Sequence, residues 1–63
     1  MKKYVIYDGR AIHGDTDDAM CMTMCDSLEE ARSYKGEWGE CAIYSYDVTP
    51  KDELINEQFI EIL

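Results

Sequence analysis

The sequence predicts an α+β fold: a two-layer ββαββ arrangement, with a four-stranded, mainly antiparallel sheet and one helix on one face. Three observations carry this reading. Residues Asp26 to Lys35 have helix punctuation at both ends. The segments on either side are short, rich in β-branched or aromatic residues, and bounded by turn formers. Sixty-three residues allow a single domain, residues 1–63, with one modest core.

The helix is the clearest element. Ser27 followed by Glu30 fits a capping box, in which the Ser hydroxyl accepts from the Glu30 backbone N–H and the Glu carboxylate reaches back. Glu29 and Glu30 lie in the first turn, Arg32 and Lys35 in the last, and the helix dipole favours both placements. Gly36 supplies a C-cap. Leu28 and Ala31 share a face that Tyr34 or Trp38 extends.

Lys3 to Tyr7 reads as the first strand, ending at Asp8-Gly9. Arg10 to Asp18 reads as loop, with Gly14, Asp15, Thr16, Asp17 and Asp18 as turn formers. Ala19 to Cys25 fits helix or strand; its shortness and its turn-forming borders favour a second strand antiparallel to the first. On that strand Met20, Met22 and Met24 share one face. Cys21 and Cys25 also share a face, about 13 Å apart at about 3.3 Å per residue, too far to act together. Gly36 to Glu40 connects the helix to Cys41–Val48, the strongest strand in the chain.

The last segment, 53–63, carries opposed signals. Thr49 as N-cap, Pro50 at the first helical position and Asp52-Glu53 in a first turn point to a helix. Leu54-Ile55 and Phe59-Ile60-Glu61-Ile62 point to a strand that would close the sheet through a short connection. The balance predicts a strand. A single helix leaves one face of such a sheet open, to dimerise or to bind a partner. Two or three of Tyr4, Tyr7, Tyr44 and Tyr46 are expected in the core against Leu28 and Ala31.

Charge is the strongest functional signal. The net charge is −8. Residues 1–14 carry three cations against one carboxylate, +2, and residues 15–63 carry thirteen carboxylates against three cations, −10. Such a field repels nucleic acid and anionic membranes and attracts basic protein surfaces. Acidity also serves solubility, which is the competing explanation. The strand tyrosines could stack bases, but without a basic groove direct nucleic-acid binding is disfavoured.

No stretch reaches transmembrane length, and the apolar run after Lys2-Lys3 is too short for a secretion signal. Three cysteines, an odd number inside apolar segments, suggest reduced thiols and a cytoplasmic location. His13, Asp15, Asp17 and Asp18 are the densest group of possible ligands, but their spacing fits an Asx-ordered loop better than a divalent-cation site. No cofactor or metal is expected. His13 is the only histidine, and no Ser or Cys has a nucleophile motif around it. These features predict a protein that is not an enzyme.

The runs Tyr7-Asp8-Gly9-Arg10-Ala11 and Gly14-Asp15-Thr16-Asp17-Asp18-Ala19 resemble the opening of small uncharacterised acidic proteins of prokaryotes and their phages. Ser27-Leu28-Glu29-Glu30-Ala31, Ile43-Tyr44-Ser45-Tyr46-Asp47-Val48 and Leu54-Ile55-Asn56-Glu57 are similar to the same group, which supports a strand at the C-terminal segment. In size and acidity the chain also resembles, by type rather than by motif, phage-encoded anti-CRISPR inhibitors, many of which imitate nucleic-acid phosphates with carboxylates. That resemblance implies an inhibitor acting in the host cytoplasm. It would dock on the basic nucleic-acid channel of a CRISPR effector through Asp15, Asp17, Asp18, Glu29, Glu30, Glu37 and Glu40. The alternative is a small structural or regulatory module, homodimeric through an open sheet face, with its acidity serving solubility.

Overall fold

A computed structural model describes all of residues 1–63. Its elements are β1 (Lys2–Tyr7), a 3-10 helix (Gly9–His13), β2 (Cys21–Cys25), α1 (Leu28–Arg32), β3 (Ala42–Val48) and β4 (Leu54–Ile62). The strands form one antiparallel sheet in the order β2-β1-β3-β4. The chain is therefore α+β, with one open four-stranded sheet and one α-helix. The 3-10 helix falls where the sequence read as plain loop, so the order of elements departs from the expected ββαββ.

Local chemistry explains that extra turn. The Asp8 carboxylate accepts from the Arg10 backbone N–H at 3.0 Å, an N-cap. Gly14, at φ 88°, takes the left-handed conformation and donates its N–H to the Ala11 carbonyl. Asp8 thus ends one element and starts the next.

Helix α1 is shorter than its sequence signals. Ser27 accepts from the Glu30 backbone N–H at 3.1 Å as expected. The Glu30 carboxylate reaches one residue further than a capping box requires, to the Asp26 N–H. At the other end Ser33 already caps. Its hydroxyl donates to the Glu30 carbonyl at 2.5 Å, and the backbone runs on in tight i→i+3 turns to Gly36. A serine that bonds back to the preceding turn competes with regular helix, which is why Arg32 is the last helical residue.

The helix-start signals at residues 49–53 are used, but for a turn. The Thr49 hydroxyl accepts from the Lys51 and Glu53 backbone N–H groups. Asp52 then adopts φ 63°, which ends any helix, and the chain reverses into β4. The C-terminal segment is a strand of nine residues.

Two layers flank the sheet. On one face Ile6, Cys25, Ala31, Cys41 and Ile43 form a buried cluster, sealed by Tyr4, Met22, Leu28, Tyr34, Ile60 and Leu63. On the other, Val5, Ala11, Ala42, Tyr44 and Tyr46 form a second cluster with Tyr7, Ile12 and Ala19. The second face is therefore not the open face expected of a single-helix design; residues 9–19 fold across it. The buried tyrosines, Tyr44 and Tyr46, also pack there and not against Leu28 and Ala31. The Tyr44 hydroxyl donates to the Ala11 carbonyl at 2.7 Å, which ties the 3-10 segment to the sheet.

A bulge corrects the reading of the methionines and cysteines. The β1–β2 register shifts between Ile6 and Tyr7, so that Tyr7 meets Cys21 and Ile6 meets Thr23. The extra residue breaks the simple alternation of β2. Met22 packs into the helix-side cluster, whereas Met24 pairs with Val5 and stays exposed. Cys25 is buried under α1 and Cys21 is exposed opposite Tyr7; they do not share a face.

The slab measures 33 × 23 × 15 Å and buries few residues, so the two small clusters carry the fold. A core of this size supplies a net stability of about 3–5 kcal/mol. Ile43 is fully buried on the central strand. Ile43→Ala removes about 2–5 kcal/mol and is expected to leave the chain unfolded at room temperature. Ile55→Ala, on the half-exposed edge of β4, is expected to remain folded; urea titrations followed by circular dichroism check the pair.

Candidate functional site

The chain's charges sort by what their side chains touch. Of fourteen carboxylates, three form ion pairs: Asp26 with Lys3, Asp47 with Lys2 at 2.8 Å, and Glu61 with Arg32 at 2.6 Å. Four more are held by hydrogen bonds alone. Asp8 caps the 3-10 helix, Asp15 accepts from the Asp18 backbone N–H, and Glu30 accepts from the Asp26 N–H. Glu57 accepts from the Tyr46 hydroxyl at 2.7 Å and from the Thr16 hydroxyl at 2.9 Å. The side chains of Asp17, Asp18, Glu29, Glu37, Glu40, Asp52 and Glu53 make neither kind of contact.

The topology places these free carboxylates at two ends of the sheet. β1 ends, and β2 and β3 begin, at one end. There Asp17 and Asp18 lead into β2, and Glu37 and Glu40 lead into β3. The two approaches meet around Asp8 and Gly9: the Asp8 N–H donates to the Met20 carbonyl, and a Cβ built on Gly9 would lie 3.4 Å from the Glu40 carbonyl oxygen. The Arg10 guanidinium in this region donates to the Asp18 carbonyl. Glu29, Asp52 and Glu53 lie at the opposite end, where Lys2 and Lys3 are already paired.

Of the residues expected to contact a partner, Asp17, Asp18, Glu37 and Glu40 come to one end of the sheet with free side chains. Asp15 joins them there but orders its own loop. Glu29 and Glu30 stand at the far end, with Glu30 occupied in capping. Sequence reasoning missed Trp38 as a member of the acidic end. It sits between Glu37 and Glu40, 37 % exposed, stacked on Tyr34 with ring centroids 5.2 Å apart. The spacing of Tyr34 and Trp38 across Gly36 was the available signal.

The opposite face of the sheet holds a chain of hydroxyls. The Tyr7 and Tyr46 hydroxyls lie 2.6 Å apart, and Tyr46 continues to Glu57 and thence to Thr16. Burial, followed by the bonds to Tyr7 and Glu57, pushes the Tyr46 hydroxyl above the ordinary phenol range. This chain fastens the residue 15–18 loop to β4. Burial raises the Cys25 and Cys41 thiols as well, which keeps both protonated core residues. The structure brings no three His, Cys, Asp or Glu side chains into a group that could hold a metal ion. No helix is long and apolar enough to cross a membrane. Compared with family models, curated proteins and solved structures, the chain matches none.

The Arg32–Glu61 pair gives a pH test of the geometry. Arg32 bonds Glu61 through two nitrogens, which holds the Glu61 carboxyl below its usual range. A carboxylate lowered on folding contributes stability above its unfolded pKa and loses it as pH falls through the folded value. The gap in stability between the wild type and Glu61→Gln is therefore expected at about pH 7 and should close by about pH 2. Urea midpoints for both proteins across that range check it, and a gap independent of pH would mean that the pair is not ionic.

Proposed function

We propose that this chain is a non-enzymatic acidic binding protein that docks on a basic, nucleic-acid-binding surface of a protein partner. By resemblance of type, that partner is a CRISPR effector, and the carboxylates stand in for phosphates. The observation that carries the reading is the sorting of charge. Lys2, Lys3 and Arg32 are used up in internal ion pairs, while Asp17, Asp18, Glu37 and Glu40 are left free at one end beside a half-exposed tryptophan. Four of the seven free carboxylates lie at that end, the other three at the opposite one.

Physical chemistry says how such an end would work. Unpaired carboxylates on loops keep their full field toward solvent and steer a basic surface into contact, which raises the association rate and makes it sensitive to salt. Trp38 adds apolar contact area of the kind that anchors interface hot spots and can receive an arginine on its face. Carboxylates already spent on lysines or backbone caps contribute less.

The test is a pair of variants with equal loss of charge per residue changed. Asp15, Asp17 and Asp18 all changed to Asn should preserve folding, because Asn keeps the turn preference and can still accept the Asp18 N–H. Association with an immobilised CRISPR effector should slow by about tenfold and become less dependent on salt up to about 0.5 M. The control, Asp52→Asn with Glu53→Gln, lies at the other end and should change the rate by less than about twofold. Equal loss from both would reduce the effect to net charge. No loss from either would return the acidity to solubility.

A further inference from the structure

Residues 9–19 cross the second face of the sheet on their way from β1 to β2. β2 and β4 are the two opposite edges of that sheet. The segment that enters β2 nevertheless reaches β4: the Thr16 hydroxyl donates to Glu57 at 2.9 Å. This is the one hydrogen bond that joins residues 14–18 to the sheet. Their other bonds stay within the segment. The Gly14 N–H donates to the Ala11 carbonyl, the Asp18 N–H to the Asp15 carboxylate, and the Arg10 guanidinium to the Asp18 carbonyl.

Glu57 is itself held in place. The oxygen that accepts from Thr16, Oε1, also accepts from the Tyr46 hydroxyl at 2.7 Å. The Tyr7 hydroxyl lies 2.6 Å from that of Tyr46. An ionised carboxylate only accepts, so Tyr46 donates to Glu57 and Tyr7 donates to Tyr46. Tyr46 is buried, so Glu57 is anchored from the core side. Bonds accepted by a carboxylate are stronger than those between neutral groups.

We propose that Glu57 is a positioning residue: through Thr16 it holds the tip of the loop against the sheet and so fixes where Asp17 and Asp18 present their carboxylates. The proposal rests on the reading of that end as the binding site, and it gives Glu57 a role that does not come from its charge. Asp17 and Asp18 follow Thr16 directly in the chain. A tethered tip presents them in one arrangement. A free tip spreads them over many, and ordering them at the moment of binding costs affinity.

Three variants of the full chain separate tethering from charge. Thr16→Val removes the donor and leaves the net charge unchanged. Glu57→Gln removes a charge and keeps an oxygen that accepts both hydroxyls. Thr16→Ser keeps the hydroxyl. The heteronuclear NOEs of amides 15–18 are expected to fall in Thr16→Val and to hold at wild-type values in the other two. Hydrogen exchange of the β1 and β3 amides should not change in any of them. Affinity for an immobilised CRISPR effector should fall by about fivefold in Thr16→Val and by less than about twofold in Glu57→Gln and Thr16→Ser. The reverse order, with Glu57→Gln the weaker binder, would make Glu57 one more charge and overturn the proposal. Unchanged NOEs in Thr16→Val would overturn it too, because the tip would be held by something else. If the tip loosens and the effector binds as before, the proposal fails alone. If the wild type does not bind the effector, the binding reading fails and Glu57 has no contact to position.

Discussion

Strand β3 must be buried on both faces, and the rest of the fold follows from that demand. Every residue from Cys41 to Tyr46 is buried, so its side chains alternate between two cores and not between core and water. A sixty-three-residue chain has only two pieces to cover those cores. One is α1, five residues long, which delivers Leu28 and Ala31 to the first face. The other is the capped 3-10 segment, which delivers Ala11 and Ile12 to the second. Ala11 and Ala31 are both fully buried, and larger side chains would push the thin layers off the sheet.

The same economy of chain explains where the charge goes. Both faces are occupied, so carboxylates fall on connections, caps, the edge strand β4 and, as Asp47, near the end of β3. Three of the six cations are drawn into fastening the ends of the sheet. Lys2 holds β1 to Asp47 of β3, Lys3 holds β1 to the entry of α1, and Arg32 crosses from α1 to Glu61 on β4. These bonds hold the Asp47 and Glu61 carboxyls below their usual range. Seven carboxylates are left outside both ion pairs and hydrogen bonds, and the three cations Arg10, Lys35 and Lys51 outside ion pairs. Four of those carboxylates, Asp17, Asp18, Glu37 and Glu40, fall at the end of the sheet where β2 and β3 begin. The Tyr7–Tyr46–Glu57–Thr16 chain fixes the loop of Asp17 and Asp18 to the sheet, so the field there has a defined direction.

Much of the fold was legible because its signals are local. The Ser27 cap, the β-branched and aromatic runs of β1 and β3 and the short connection before residue 53 each depend on neighbours in sequence. The bulge at Cys21–Thr23 did not announce itself, because a single extra residue in one strand leaves no compositional trace; it reversed the facing of Met24 and Cys21. The early stop of α1 came from one serine hydroxyl, which reads equally well as a neutral helix residue. The 3-10 helix, Gly9–His13, is too short to show a period and lies between Asp8 and the turn formers that begin at Gly14, so it stayed hidden, and with it the cover over the second face. For the candidate site, the sequence pointed to clustered carboxylates. It could not separate those spent on caps or loop bonds, such as Asp15 and Glu30, from those left free, nor bring Glu37, Trp38 and Glu40 to the same end of the sheet as Asp17 and Asp18.

The most direct measurement is competition for the partner's nucleic-acid channel. A labelled oligonucleotide bound to a CRISPR effector is titrated with this chain, and bound label and complex composition are read together. The account predicts mutual exclusion: the oligonucleotide leaves as the chain binds, and its apparent affinity falls in proportion to the chain added. A stable complex holding effector, oligonucleotide and chain at undiminished affinity would contradict it.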